Sequence, residues 1–358
     1  MVLGVINKRI IFVVALIVSL VTFLVATSSS DKFNTNAVDP KDPTKTITIT
    51  KNWAGDIPAD RPNSITAYIK KTSSELITGP ALNLKMKGLA GTSTSGTDAA
   101  NSTITAFRKA TDAEYEAVKN TLTSNNEIQA SGEKTYMWYS GGTIYIYSEA
   151  DNLYLPAESK QLFRKMNALS DISGAAYLNT AYSTTFEQMF QDSYNITDAQ
   201  LAHLANWDTG NVTTMRFMFG GNLGTGSNCA NNHKLTDLSP LTNWNTQKLQ
   251  NTDQMFKCNT SLEDLSPISD WNMSNLVYMQ NMFNLTGVTD MTPILDWDVV
   301  RVTNFTGVFS KAPIAVYDQF TNRPGSWDTS NWTYTPTSGP TSGSAPTATK
   351  VKSPDQET

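Results

Sequence analysis

The sequence predicts an α/β solenoid of short repeats, a brief strand and a short helix in each, with a small β-rich domain in front. Three observations lead there. Trp207, Trp244, Trp271 and Trp297 are each followed twelve residues later by a phenylalanine, at Phe219, Phe256, Phe283 and Phe309. The Trp-to-Trp interval is 27 and 26 residues in the regular copies. Within each copy the apolar residues fall at fixed distances from the Trp. Self-similarity with a period of about 20–50 residues marks an array whose units cannot bury their apolar faces alone.

Residues 1–30 read as a signal peptide or N-terminal membrane anchor. Lys8 and Arg9 precede seventeen mostly apolar residues, IIFVVALIVSLVTFLVA, and a polar TSSSD follows. That length lies between a cleaved signal core and a minimal membrane span, so cleavage near Ala26 to Ser28 and retention both stay open. No Cys follows the run, which removes a lipoprotein reading. Residues 31–44 form a linker. From 45 to 108 a β-rich domain is expected, because TKTITITKNWAGDIPADRPNSITAYIKK alternates as a strand, breaks at a polar turn and resumes. Lys51, Trp53, Arg61, Pro62, Ser64 and Ile65 resemble the opening of Cna B-type domains, the β-sandwich stalk modules of Gram-positive surface proteins. The resemblance implies a Lys–Asn isopeptide crosslink at Lys51. The later Glu motif and the final strand with its Asn have no counterpart, so the sandwich reads as truncated or diverged and the crosslink stays open. Residues 109–156 read as a connecting, N-terminal capping segment.

The array spans 157–334. Met218, Met255, Met282 and Val308 precede its phenylalanines. Leu235, Leu262 and Val288 stand nine residues before a Trp; Leu238, Leu265 and Met291 stand six before, and Pro240, Pro267 and Pro293 four before. A degenerate copy, LSDISGAAYLNTAYSTTFEQMF, carries Leu178 in the Trp place and ends on Met189-Phe190. The interval from Trp207 to Trp244 grows to 37, where GGNLGTGSNCANNH reads as a surface-loop insertion. Leu276, Met279, Met282 and Phe283, at five, eight, eleven and twelve past Trp271, read as the stripe of a short amphipathic helix capped by Ser274 or Asn275. LEDLSPI is too short and too Pro-interrupted for a helix and reads as a brief extended segment. Strand, turn and helix within 26 residues make a leucine-rich-repeat unit, and the Trp and Phe rows are its core.

The pattern W-[DN]-x-x-x-[VL]-x-x-M-x-x-M-F, followed by L-x-D-L-S-P-[LI], resembles the BspA-like leucine-rich-repeat surface proteins of bacteria across about 157–332. The stretch from TAFRKATDAEYEAVKN to YIYSEADNLYLP is similar to the segment preceding the array in such proteins. The resemblance implies export, display at the cell surface, and adhesion or host interaction. Residues 335–358 are a Pro/Thr/Ser/Gly tail that cannot build a core. The tail has no LPxTG sortase signal, which leaves attachment to the N-terminus.

The formal net charge is −5 and only 16% of residues are charged. Residues 159–334 hold ten Lys and Arg against fifteen Asp and Glu, and so carry the whole acidic excess. This charge balance offers no basic face for a nucleic-acid phosphate backbone, which argues against nucleic acid. His203 and His233 belong to no HExxH motif or nucleophile elbow and read as solvent-facing or structurally hydrogen-bonded. No catalytic residue, metal ligand or cofactor is expected. Cys229 and Cys258 lie near equivalent loops of successive repeats; an exported protein could pair them, and the spacing leaves that open. Asn211 and Asn284 head glycosylation sequons that arise from the repeat's own Asn and Thr usage.

The candidate binding face is a row of acids and hydroxyls. Asp171, Asp237, Asp264 and Asp290 stand seven residues before each Trp position, with Asp198 in the like place of the copy that carries a two-residue insertion. Ser173, Ser239, Ser266 and Thr292 stand five before. In a strand they would flank the buried residue and face outward, about 5 Å from their counterparts in the next unit. A solvated ladder, a polar recognition surface and a weak Ca²⁺ site are the alternatives. Taken together, these features predict a non-enzymatic surface or secreted protein that binds a host or neighbouring-cell protein or glycan. It would touch the membrane only through its N-terminal segment. An exported hydrolase using the repeats for targeting, or a passive spacer, is the alternative.

Overall fold

The expected β-rich domain over 45–108 is divided by the structure: the chain separates into two units, Met1–Lys71 and Thr72–Thr358. The computed structural model describes residues 32–34, 47–52, 65–67, 73–92, 96–221, 229, 233–303, 305, 307–309 and 327. The signal segment 1–30 and the tail 335–358 lie outside them, as do Trp53, Arg61, Pro62 and Ser64. In the first unit β1 (Lys32–Asn34), β2 (Ile47–Asn52) and β3 (Ile65–Ala67) form an antiparallel sheet in that order. Lys51 stands in β2 opposite Phe33.

The second unit opens with β4 (Ser73–Leu76), α1 (Gly79–Leu89), β5 (Ala106–Lys109) and α2 (Asp112–Val118). β6 (Gln129–Gly132), β7 (Thr135–Ser140), β8 (Thr143–Ser148) and β9 (Asn152–Tyr154) follow, and β10 (Leu178–Asn179) lies inside the array. β4 pairs with β6 and β9, so the boundary falls before it rather than after 108. Residues 109–156 are therefore more than a connector, since they supply strands to both sheets, β10-β9-β4-β6 and β5-β8-β7. Alternation in TIYIYS sends Ile144, Ile146 and Ser148 inward from β8. Gly141 and Gly142, at φ 54° and 84°, make the two-residue turn joining β7 to β8. Thr111 and Glu114 close a capping box at the start of α2. The parallel pairing of β9 with β10 joins this part to the repeats.

Within the array, the expected elements are replaced by tighter ones. LEDLSPI forms no strand: Ser239–Leu241, Ser266–Ile268 and Thr292–Ile294 are 3-10 turns, each with Pro in its first turn. Proline fixes φ near the helical value and gives up an N–H that has no partner there, so the residue that argued for a strand starts a turn. The stripe Leu276, Met279, Met282 and Phe283 is not a helix, and Ser274 caps none. Instead single residues bridge in parallel from unit to unit, Glu158 to Thr185, Thr185 to Thr214, Thr214 to Asn251 and Asn251 to Tyr278. Beyond each bridge alternate amides continue the ladder: Met215, Phe217, Phe219 and Gly221 donate to the carbonyls of Asn251, Asp253, Met255 and Lys257. A helix would spend these groups on itself. Gln188, Phe217, Gln254, Asn281 and Gly307 share one place in the register, and all have φ between 53° and 64°. A left-handed residue there stops a helix and bends the chain back into the core.

Packing then follows the register. The rings of Phe163, Phe190, Phe219, Phe256, Phe283 and Phe309 stack in a continuous column, neighbouring centroids 5.2 to 6.0 Å apart. The indole N–H groups of Trp207, Trp244, Trp271 and Trp297 donate to the carbonyls of Ala175, Leu204, Leu241 and Ile268 in the preceding unit at 3.0 to 3.2 Å. Leu204, Leu241 and Ile268 also accept the backbone N–H of the Trp three residues on. Two donors from consecutive units thus converge on one buried carbonyl. Trp327 makes the same bond to Ile294.

Candidate functional site

The acid-and-hydroxyl row sits on the 3-10 turns rather than on strands. Asp237 Oδ1 accepts the Ser239 N–H at 2.8 Å and the Ser239 hydroxyl at 2.6 Å. Asp264 accepts the Ser266 N–H at 2.8 Å, Asp290 the Thr292 N–H at 2.9 Å, and Asp171 the Ser173 N–H at 2.8 Å. Each carboxylate closes an Asx turn at the start of its own 3-10 segment, satisfying a donor that a helix terminus leaves free. The hydroxyls and then the N–H groups of Ser266 and Thr292 hold Asp264 and Asp290 below the usual carboxylate range, while Asp290 acts against the ionisation of Asp264. Asp237, Asp264, Asp290, Ser239, Ser266 and Thr292 are exposed, and Asp171 and Ser173 are half-buried. Successive turns are neighbours, so the three exposed pairs line one side of the array. Asp198 instead reaches the next unit, accepting the Thr236 N–H and hydroxyl at 2.8 and 2.5 Å.

A second exposed row escaped the sequence reading. Asp208, Asn245, Asn272 and Asp298, each directly after a Trp, accept the N–H two residues on. Four residues after each Trp stand Asn211, Lys248, Asn275 and Arg301. Lys248 donates to Asn211 at 2.7 Å and Arg301 to Asn275 at 2.9 Å, while the two Asn side chains donate to carbonyls of the preceding unit. The signal was present in WDTGN and WNMSN, where the Asn recurs at a fixed offset. Asn211 and Asn284 spend their amide N–H groups on Ala181 and Asn281.

The insertion over 220–233 is held at both ends. The Gly221 N–H donates to the Lys257 carbonyl at 2.9 Å and the His233 N–H to the Cys258 carbonyl at 3.2 Å. Cys229 and Cys258 form a disulfide with Cα atoms 5.6 Å apart. His203 is half-buried, whereas His233 is 3% exposed and not solvent-facing. His233 packs edge-on against Tyr194 with ring centroids 5.2 Å apart. Burial pushes its pKa down to about 4, against a smaller opposing pull from its hydrogen bond with the Gly220 backbone. Among the described residues no group of three His, Cys, Asp or Glu side chains could hold a metal ion, and no helix is long and apolar enough to cross a membrane. The core residues Trp207, Trp244, Trp271, Trp297, Phe219, Phe256, Phe283 and Phe309 are all buried.

Stacked units, hydrogen-bonded in parallel and sharing one aromatic core, define a repeat protein whose exposed residues recur in rows. The chain belongs to the family described as "Mycoplasma protein of unknown function, DUF285", which matches over 158–232 and again over 226–337. The two matches together span half the chain and meet inside the insertion. No curated protein and no solved structure matches it.

Proposed function

We propose that this is a non-enzymatic protein of the cell exterior whose repeat array binds a protein or glycan partner. On this reading the array is a leucine-rich-repeat solenoid of the BspA-like kind, and residues 1–30 direct export. One observation carries it: the bridge ladder from Glu158 to Tyr278 keeps one register through four successive steps, including the one across the insertion. A constant register turns a single exposed residue into a line of equivalent residues, and extended surfaces of that type suit large partners better than small substrates. The exposed acids and hydroxyls favour a basic or polyhydroxylated partner, with binding that weakens as salt screens it.

Residues 31–358 probed against glycan and extracellular-matrix arrays should bind in a saturable, salt-sensitive way. Converting Asp237, Asp264 and Asp290 to Asn removes three charges and preserves shape, and should weaken that binding. A folded triple variant that binds as the parent does, beside a loss of binding on deleting the 220–233 loop, would move the function to the loop. Failure of the parent to bind any probe or cell would favour a spacer. Protease added to intact expressing cells should digest the array or find it in the medium; full protection would defeat export.

A further inference from the structure

We propose that Arg164 and Lys165, with Lys87 beneath them, form a binding site for a tetrahedral dianion of the sulfate or phosphate class, and that Asp98 holds its place as an internal stand-in. The three basic side chains converge where α1 meets the first repeat. Arg164 Nη2 lies 2.7 Å and Lys165 Nζ 3.4 Å from Asp98 Oδ1. Lys87 is fully buried, its Nζ donating to the Thr97 carbonyl at 2.9 Å. Burial first, and then the charges of Arg164 and Lys165, push the Lys87 ammonium down to about 8, while Asp98 pulls the other way. Two cations therefore contact one carboxylate, and a third, Lys87, is near enough to feel the charge of all three. A buried cation without a full complement of countercharge is costly, and an incoming dianion supplies what one carboxylate cannot.

The groups are arranged so that Asp98 can leave. Its side chain is 77% exposed, whereas those of Arg164 and Lys165 are 10% and 23% exposed. The loop is moored through Thr97 instead, whose hydroxyl accepts from Arg164 Nη1 at 3.2 Å and donates to Gln161 at 3.1 Å. Arg164 is itself oriented by donation from Nε to Gln191 at 2.8 Å, which leaves Nη2 toward Asp98. Swinging one exposed carboxylate outward uncovers Arg164 Nη2 and Lys165 Nζ, two charged donors already held within reach of one oxyanion. The site stands apart from the exposed rows, and its test does not depend on the partner of the array.

Titration calorimetry of the full chain with sodium sulfate and with sodium phosphate, against sodium chloride at matched ionic strength, tests the proposal. The parent should bind at least one of the two dianions, and which one binds tells sulfate from phosphate. Asp98→Asn removes the competitor and should bind that dianion about tenfold tighter. Lys165→Gln, which leaves Arg164 and the Thr97 mooring in place, should abolish the dianion-specific rise in Tm. Equal responses to dianion and chloride, or binding to Asp98→Asn no tighter than to the parent, would overturn the site. Should Asp98→Asn fail to fold, the parent and Lys165→Gln still decide: identical dianion-dependent Tm shifts in both reject it.

Discussion

Replacing Trp271 by Phe and by Ala separates the two things its side chain does. The ring is 3% exposed, stacked 6.3 Å from Trp244 and tilted against Phe256 at 6.4 Å, and its N–H donates to the Leu241 carbonyl at 3.1 Å. Removing the ring deletes a large buried volume at the junction of two units, a change that costs about 3–5 kcal/mol in packed cores. Phe keeps most of the ring and loses the hydrogen bond. The Leu241 carbonyl retains the Trp244 N–H at 3.1 Å, so it is not orphaned and the loss is about 1 kcal/mol. The smaller ring adds roughly 1 kcal/mol of imperfect packing. Urea unfolding followed by far-ultraviolet dichroism should therefore order the proteins parent, Trp271→Phe and Trp271→Ala, with a gap of about 2 kcal/mol between the variants. A Trp271→Ala protein that unfolds with the parent's midpoint would show that the buried indoles do not hold the units together. Equal losses in both variants would show that the hydrogen bond, not the ring, carries the stability.

Four further outcomes follow from the same structure. Between pH 6.5 and about 4 the unfolded chain takes up a proton on His233 that the native chain refuses, so stability should fall by about 3 kcal/mol as pH drops across that window; a folded His233→Asn variant should show a flatter profile. Cys229 and Cys258 are 29 residues apart, so Cys229→Ser with Cys258→Ser should cost about 3–4 kcal/mol by chain entropy, and a reductant should lower the parent's Tm but not the variant's. Gly307 has φ 64°, and Gly307→Val should cost about 1–2 kcal/mol in urea unfolding, because a β-branched residue resists that backbone. Asp264 and Asp290 are depressed, so the stability they add is present above the ordinary carboxylate range and lost as pH falls below it; the double Asn variant should lack that acid limb in a Tm-against-pH series.

The unit boundaries were legible because Trp and Phe have no cheap substitute in a stacked core: their twelve-residue interval survives where most of the residues between them vary. The secondary structure was not. Apolar residues at five, eight and eleven past the Trp are three apart, a spacing that fits one face of a helix and equally a chain of tight turns. The residue that decides between them is the left-handed one at ten past the Trp. Only Gly307 announces it; Gln254 and Asn281 occupy the same backbone without the glycine that would have signalled it. The Asp row was legible as a row and assigned to the wrong element, since Asp two before Ser-Pro suits an Asx turn as well as a strand rim. The boundary after Lys71 was hidden because β4 finds its partners more than fifty residues later, in β6 and β9. Trp327 in WDTSN could have been found from the other copies, but the phenylalanine that marks them is missing twelve residues on.

The interval from Trp207 to Trp244 is 37 residues where its neighbour is 27, yet Phe219 and Phe256 stack at 6.0 Å and Phe256 and Phe283 at 5.9 Å. Extra chain at this point is invisible to the pitch, because Gly221 and His233 both bond the adjacent residues Lys257 and Cys258 and the detour closes on itself. The array thus has a port at which length and chemistry can change without renegotiating the core, and the cystine clamps whatever is placed there. Foreign peptides grafted at that port would be displayed at a fixed height along the stack, so a lineage, or an engineer, could exchange the insert while leaving the scaffold untouched.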